Sequence, residues 1–298
     1  MSIHFSNFAV QKERTYKLKG GHTMLTRFEN YLRNIKGYSE RTCSEYLKDL
    51  RAFALWAKTH KEDARWSTLT RSDIDEYITM RAKEGIKPAT TNRELASISA
   101  LYRFFIREGL MTSNPARFQS RRKVGYHLPN TIPSEDLQAA YEHSVGMVHV
   151  WIGLLSTTGI RISELLGLNW DDIDFKTCAL WIRGKGDKDR LVYTTPEYLD
   201  LMRQAYERNP SEGRIFRYSE RDARHMLWEA LKPWSRAKQL SPHAIRHSFA
   251  TSLAKQGVNV ATIATILGHN RIATTQKYID MAQMDCRAVS AQYSPLNA

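Results

Sequence analysis

From Leu25 the apolar residues Leu25, Phe28, Tyr31, Leu32 and Ile35 recur at intervals of three and four, which sets them on one face of a helix, and Gly37 ends the run. A second stripe follows Ser39 through Cys43, Tyr46, Leu47, Leu50, Phe53, Ala54 and Ala57. Thr70 with Asp73 reads as a capping box that opens a third helix through Ile74, Tyr77, Ile78 and Ala82. A fourth begins after Pro88, carries Leu95, Ile98, Leu101, Tyr102, Phe105 and Ile106, and stops at Gly109. Four such stripes bury one another in a compact helical bundle. Residues 1–22 show neither the helical nor the strand period and are expected to be a flexible extension.

Asn114-Pro115 closes the bundle, and residues 117–133, with Arg121-Arg122-Lys123 inside, read as a basic linker. A second domain is expected over 134–298. It starts at Ser134 with helical stripes through Leu137, Ala140 and Tyr141, then Val150, Ile152, Leu154 and Leu155. Between Ile173 and Thr195 the period shortens: Leu180–Arg183 and Arg190–Tyr193 read as strands joined by the turn-rich run Gly184-Lys185-Gly186-Asp187-Lys188-Asp189. Helices resume after Pro196, from about Ser219 to Lys238, and from Ser241; Met281, Met284, Ala288 and Val289 suggest a short amphipathic tail. The fold class is mainly α with a small antiparallel β-sheet in the second domain.

The distribution of charge, more than its total of +13, points to a polyanionic partner. Residues 1–123 hold 24 Lys and Arg against 13 Asp and Glu, a net +11, and the remainder holds 20 against 18, a net +2. That asymmetry fits one module that grips phosphates broadly and another that places a few cations at one phosphate. No run of eighteen apolar residues occurs and the first residues lack a secretory pattern, so a cytoplasmic protein without a membrane partner is expected. The three cysteines, at 43, 178 and 286, are too scattered for a disulfide framework or a thiolate metal site.

The chemistry-bearing residues gather in the second domain. A phenol is a poor nucleophile near neutral pH, so a tyrosine that attacks phosphorus needs cations around its target. Tyr278, in Thr274-Thr275-Gln276-Lys277-Tyr278, is accompanied by Arg161, Lys185 and Arg246 as candidate cations. His243, Arg246 and His247 sit at i, i+3 and i+4 behind Ser241-Pro242, on one face at the start of a helix, where backbone amides and a guanidinium both favour an anion. His247 reads as a packing residue. A zinc site from His243, His247 and His269 is the weaker reading, because Ala244 stands where a zincin needs glutamate and Arg246 would repel a dication. Glu164 either fixes Arg161 on a shared helix face or is an ordinary surface acid.

The ordered set of Arg161 in Thr158-Gly159-Ile160-Arg161, Lys185 between glycines, His243-x-x-Arg246, His269 in Leu267-Gly268-His269, and Tyr278 resembles the tyrosine recombinase (phage integrase) family, over nearly the whole chain. The resemblance implies that residues 23–116 are a core-binding DNA domain and 134–298 an α+β catalytic domain. It implies that Tyr278 forms a 3′-phosphotyrosyl link, that Arg161, Arg246 and His269 stabilise the transition state, and that Lys185 is the general acid, with Lys188 its rival. His243 is expected to be the base for the phenol. Ile279-Asp280 replaces a frequent Thr-His after the nucleophile, a departure that removes no required group. The implied partners are double-stranded DNA with a specific core site and a homotetramer on that DNA, or an assembly with a related recombinase. No cofactor or metal is implied. The expected function is a site-specific recombinase working through a Holliday junction in integration, excision or resolution. A type IB topoisomerase and a catalytically silent DNA-binding regulator are the alternatives.

Overall fold

A computed structural model describes residues 24–62, 64–125, 127–184, 189–208, 213–269 and 272–283. The expected extension at 1–22, Lys185 and Lys188 in the hairpin turn, and the tail stripe from Met284 onward lie outside the described residues. The chain divides into two units, Met1–Tyr126 and His127–Ala298.

In the first unit α1 (Met24–Asn30) runs into a π-helical turn, Tyr31–Ile35, and is followed by α2 (Glu40–His60), α3 (Arg71–Lys83) and α4 (Pro88–Arg107). The starts are set by local chemistry: Ser39 Oγ accepts the Thr42 amide proton, Thr70 and Asp73 complete their reciprocal capping box, and Pro88 occupies the first turn of α4. Phe28, Leu50, Phe53, Ile74, Ile98, Leu101 and Tyr102 form a sealed core. Ile35 departs from expectation and is 62% exposed. The π turn admits an extra residue, which rotates the end of the stripe away from the core.

Part of the segment expected as linker is fastened to this unit. Arg122 donates its backbone N–H to Asn92 Oδ1 and accepts from Asn92 Nδ2 on α4, and its guanidinium donates to the Ile86 carbonyl. Asn92 thus satisfies one residue of an otherwise irregular strand of chain as a neighbouring β-strand would.

The second unit is built around α6 (Gly146–Thr158), whose Trp151, Ile152, Leu154 and Leu155 are fully buried. Around it lie α5 (Ser134–His143), the short α7 (Ile162–Leu166), α8 (Pro196–Arg208), α9 (Glu220–Leu231) and α10 (Pro242–Lys255), followed by α11 (Val260–Leu267) and α12 (Ile272–Gln283). The sequence pattern placed Arg161 and Glu164 on a shared helix face, in the region of α7, but did not separate α11 or α12 as elements. α9 is shorter than expected, because Pro233 lacks the N–H that would continue the ladder.

The sheet has the order β1 (Ile173–Asp174), β2 (Ala179–Ile182), β3 (Arg190–Tyr193), all antiparallel, with Leu180 opposite Val192 and Ile182 opposite Arg190. Alternation follows the pleat: Leu180, Ile182 and Val192 are buried, while Trp181, Leu191 and Tyr193 are exposed. β1 escaped the sequence reading because two residues cannot display a period. A satellite core of Ala250, Ala254, Ile263, Leu267 and Tyr278 joins α10, α11 and α12.

Candidate active site

Two helix ends and one helix start define the site. α6 stops at Gly159, in the left-handed conformation at φ +62°, where a Cβ would lie 2.4 Å from the Phe249 ring. α11 stops likewise at Gly268, φ +61°, where a Cβ would press on the Arg190 guanidinium at 2.9 Å. α10 starts at Ser241, whose Oγ accepts the Ala244 amide proton, with Pro242 in the first turn as its fixed φ favours.

Arg246, one turn into α10, is 3% exposed and points at both helix ends. Its Nη1 donates to the Gly159 carbonyl at 2.7 Å and its Nη2 to the Leu267 carbonyl at 2.6 Å. Carbonyls at helix C-termini carry the negative end of the macrodipole, so they receive a cation well. They do not neutralise it fully. Burial, with Arg161 adding repulsion, pushes the guanidinium down to about 10.

Arg161 precedes α7 and is held through Glu164. The Glu164 carboxylate accepts the Arg161 backbone N–H at 2.8 Å and its Nη1 at 2.6 Å, which fixes the side chain while leaving it 36% exposed. The same carboxylate accepts both Nη groups of Arg190 at 3.1 and 2.8 Å. Arg190, from β3, also donates Nε to the Ile266 carbonyl, so it ties the base of the hairpin to the end of α11. Burial raises the Glu164 carboxyl, and the Arg190 and Arg161 contacts more than reverse that, leaving it below the usual carboxylate range. Of the two sequence readings, Glu164 is the residue that fixes Arg161.

His269 follows Gly268, and its Nδ1 is 2.8 Å from Thr275 Oγ1, a fully buried hydroxyl on α12. Burial, then the charges of Arg246 and Arg161, push its imidazole down to about 4. His243 is likewise depressed by burial and by Arg224, Arg246 and Arg161. Both rings are therefore neutral near pH 7.

Tyr278 lies on α12, 1% exposed, its ring nearly parallel to His269 at 6.3 Å. Burial raises its phenol, and Arg246 and Arg161 pull back in the other direction. The hydroxyl, expected to meet His243 as its base, is instead 2.8 Å from Nδ1 of His247. Of the three histidines in the weaker zinc reading, His247 directs Nδ1 to Tyr278 and His269 directs Nδ1 to Thr275.

Lys185 and its rival Lys188 fall outside the described residues; the base of their turn does not. Asp189 accepts from the Gly184 N–H and from Trp181 Nε1, both at 3.0 Å, and so pins the two strands where the turn begins. A cleft of about 820 Å³ opens there, lined by Arg161, Glu164, Arg183, Arg190 and His269.

The structure thus brings Arg161, Arg246, His269 and Tyr278 into one electrostatic neighbourhood, with His243 in reach of both arginines. Sequence reasoning missed two participants. Arg190 looked like one polar position of a strand, and only its place opposite Ile182 brings it under Glu164. His247 was visible as a neighbour of His243 on one helix face, but nothing local linked it to a residue 31 positions away.

Comparison with known proteins gives a consistent picture. The model of the phage integrase family matches residues 127–284, and that of the phage integrase N-terminal SAM-like domain matches 25–109. Tyrosine recombinase XerD of Oceanobacillus iheyensis is 28% identical over 287 residues, covering 90% of this chain and 97% of the relative. Tyrosine recombinase XerC of Listeria innocua is 28% identical over 291 residues, covering 90% and 96%. Among solved structures, the XerH site-specific recombinase bound to palindromic difH substrate superposes with a TM-score of 0.73 at 18% identity, covering 89% of this chain and 84% of that one. A lambda integrase dimer bound to a COC′ core site gives 0.69 at 19% identity, covering 86% and 93%. At such identities the structural likeness speaks for the fold. Among the described residues no helix is long and apolar enough to cross a membrane.

Proposed function

This chain belongs to the phage integrase family of tyrosine site-specific recombinases, and we propose that it cuts and rejoins DNA strands with Tyr278 as the nucleophile. Duplex DNA with a specific core site is the substrate. Tyr278 Oη attacks the scissile phosphorus and a 5′ hydroxyl leaves, which gives a 3′-phosphotyrosyl link. A 5′ hydroxyl from a second duplex reverses the step, so two rounds of exchange pass through a Holliday junction on a homotetramer. The energy of the phosphodiester is retained in the link, and the step balances without a nucleotide cofactor.

The observation that carries this reading is Arg246: a buried guanidinium whose two hydrogen bonds end on backbone carbonyls, next to a second arginine and a buried phenol. A cation held with so little compensation favours a phosphate. Arg161 presents a half-exposed guanidinium beside it, and His269 and His243 add neutral imidazoles able to donate hydrogen bonds to nonbridging oxygens. Lys185, from the hairpin turn, is assigned as the proton donor to the leaving oxygen.

The test is covalent trapping on a pool of nicked suicide duplexes with randomised cores, followed by sequencing of the bound DNA. Wild-type protein gives an adduct with an enriched core. Tyr278→Phe gives none and still binds duplex, because only the nucleophilic oxygen is lost. Adduct from Tyr278→Phe overturns the nucleophile assignment. Mixing two labelled recovered sites then distinguishes strand exchange from resealing of one strand, the outcome a topoisomerase would give.

A further inference from the structure

The partner of the Tyr278 hydroxyl is fixed by the packing of two helices. α10 and α12 bury the phenol at 1% exposure, with the His247 and Tyr278 rings inclined by 45° and their centroids 5.6 Å apart. The hydroxyl and His247 Nδ1 are 2.8 Å apart. Arg246 and His247 are consecutive on α10, and successive helical side chains leave the axis about 100° apart. The first therefore reaches the ends of α6 and α11 while the second reaches α12. One helix serves both demands of the reaction, charge at the phosphate and the proton of the phenol.

We propose that His247 accepts the Tyr278 proton as the general base of phosphotyrosyl formation and returns it when the link is resolved; this rests on the reading of Tyr278 as the nucleophile. The proton of Oη–H moves to Nδ1 and gives an imidazolium. The Oη–P bond forms as the P–O5′ bond breaks, and the leaving oxygen takes its proton from a separate donor, Lys185 in the reading above. The tautomer that does this keeps its hydrogen on Nε2 and leaves the Nδ1 lone pair for the phenol. Resolution runs the same transfers backward.

The surroundings make this base conditional on substrate. His247 is faced by Arg246 and His243 from its own helix, by Lys277 and Tyr278 from α12, and by His269 after α11. Burial, then Lys277, His243 and Arg246, press its imidazole down to about 4, so it is neutral and a hydrogen-bond acceptor at pH 7 but holds a proton weakly. A phosphodiester arriving at Arg246 brings negative charge against those same cations and raises the proton affinity of His247. The anion that is attacked thus strengthens the base that enables the attack. Without it the phenol stays neutral, as burial alone prefers.

The experiment measures single-turnover adduct formation by full-length protein on the nicked random-core duplex pool between pH 4 and 9. His247→Ala and His247→Gln are compared with His243→Ala and Tyr278→Phe; the Gln variant keeps a hydrogen-bonding amide in the same space and answers for the Ala variant should that not fold. The expected loss for His247→Gln is about 100-fold or more, in the range of general-base catalysis. The acidic limb of the rate profile disappears with it, duplex affinity is unchanged, and His243→Ala keeps the limb. A fluorinated, more acidic tyrosine at position 278 restores much of the rate lost in His247→Gln and little of that lost in Arg246→Ala. An unchanged limb, absence of that rescue, or faster adduct formation, which would mark the hydrogen bond as a restraint, overturns the proposal. Adduct from Tyr278→Phe, or no adduct from the wild type, instead removes the reading of Tyr278 on which it rests.

Discussion

The two units treat buried charge alike at their carboxylates and differently at one buried cation, Arg246. In the first, buried carboxylates have guanidinium partners: Asp49 meets Arg93 at 2.8 Å and Ser97 at 2.9 Å, and Glu94 meets Arg81 at 2.7 Å. Arg93 also contacts Glu45, and Arg81 contacts Glu84. The surplus cations of this half, among them Arg41, Lys48, Arg51, Lys58, Lys83 and Lys87, stand exposed. In the second, Glu164 is shared by Arg161 and Arg190, and Arg246 ends on carbonyls. Net charge would have pointed to the first unit, yet the concentrated imbalance lies in the unit that is almost neutral. Where charge is abundant and where it is unbalanced are different questions, and the second locates chemistry.

The largest effect expected from breaking this contrast is Arg81→Ala. It strands Glu94 in the core and should destabilise the first unit by about 3 to 5 kcal/mol, whereas replacing both partners by apolar residues should be far milder. Equilibrium unfolding of the single and double variants measures this, and equal losses would show that the pair is not a self-cancelling one.

Arg246→Ala should act in the other currency, rate. The loss of one preorganised donor corresponds to about 3 to 4 kcal/mol of transition-state stabilisation, or ~100- to 1000-fold in adduct formation. Its folded stability should change less than that of Arg81→Ala, because truncation removes a buried charge that has no carboxylate in direct contact together with two hydrogen bonds. Unfolding as severe as that of Arg81→Ala would erase the distinction between the units.

Acid should separate them more gently. Arg190 and Arg161 overcome burial at Glu164 and lower its carboxyl, so its contribution is present above its ordinary 4.5 and is lost as pH falls through the lower folded value. At Asp49 burial prevails over Ser97 and Arg93 and raises the carboxyl above 3.8, so its strain is relieved as pH falls through the raised value. Hydrogen exchange followed by mass spectrometry between pH 6 and 3 should show Glu164→Gln flattening the acid loss of the second unit and Asp49→Asn shifting the first with the opposite sign. The same sign in both would contradict the comparison.

The smallest expected effect is on salt dependence. Duplex affinity should fall steeply with salt through the exposed cations of the first unit, while Arg246→Ala changes the log–log slope by no more than about 0.9, the value for one phosphate contact. A larger change, measured by binding titration across a salt series, would place Arg246 in general grip as well as chemistry.

The sequence disclosed most of the helices because their starts are written in short-range chemistry: Ser39, Thr70 with Asp73, and Ser241 each cap within three residues. The hydrophobic period carried the cores of both units and the β2–β3 hairpin. It failed at the π turn before Lys36, where the period itself changes, and at β1, which is shorter than any period. The site was legible as an ordered set of residue types. Its wiring was not, since Glu164 to Arg190, Arg246 to Leu267 and His247 to Tyr278 are contacts across 26, 21 and 31 residues that only the packing of α7 with β3 and of α10 with α11 and α12 creates.

The carbonyls that receive Arg246 have one more consequence, for how such a site can vary. A side-chain counter-ion can be deleted by a single codon change or silenced by a proton; the ends of α6 and α11 can suffer neither fate, since every residue supplies a carbonyl and none titrates. What inheritance must guard is the path of the backbone, and that rests on the side-chain-free positions Gly159 and Gly268, where even a methyl group collides. Drift in the surrounding sequence can therefore be broad while those two positions stay closed to change.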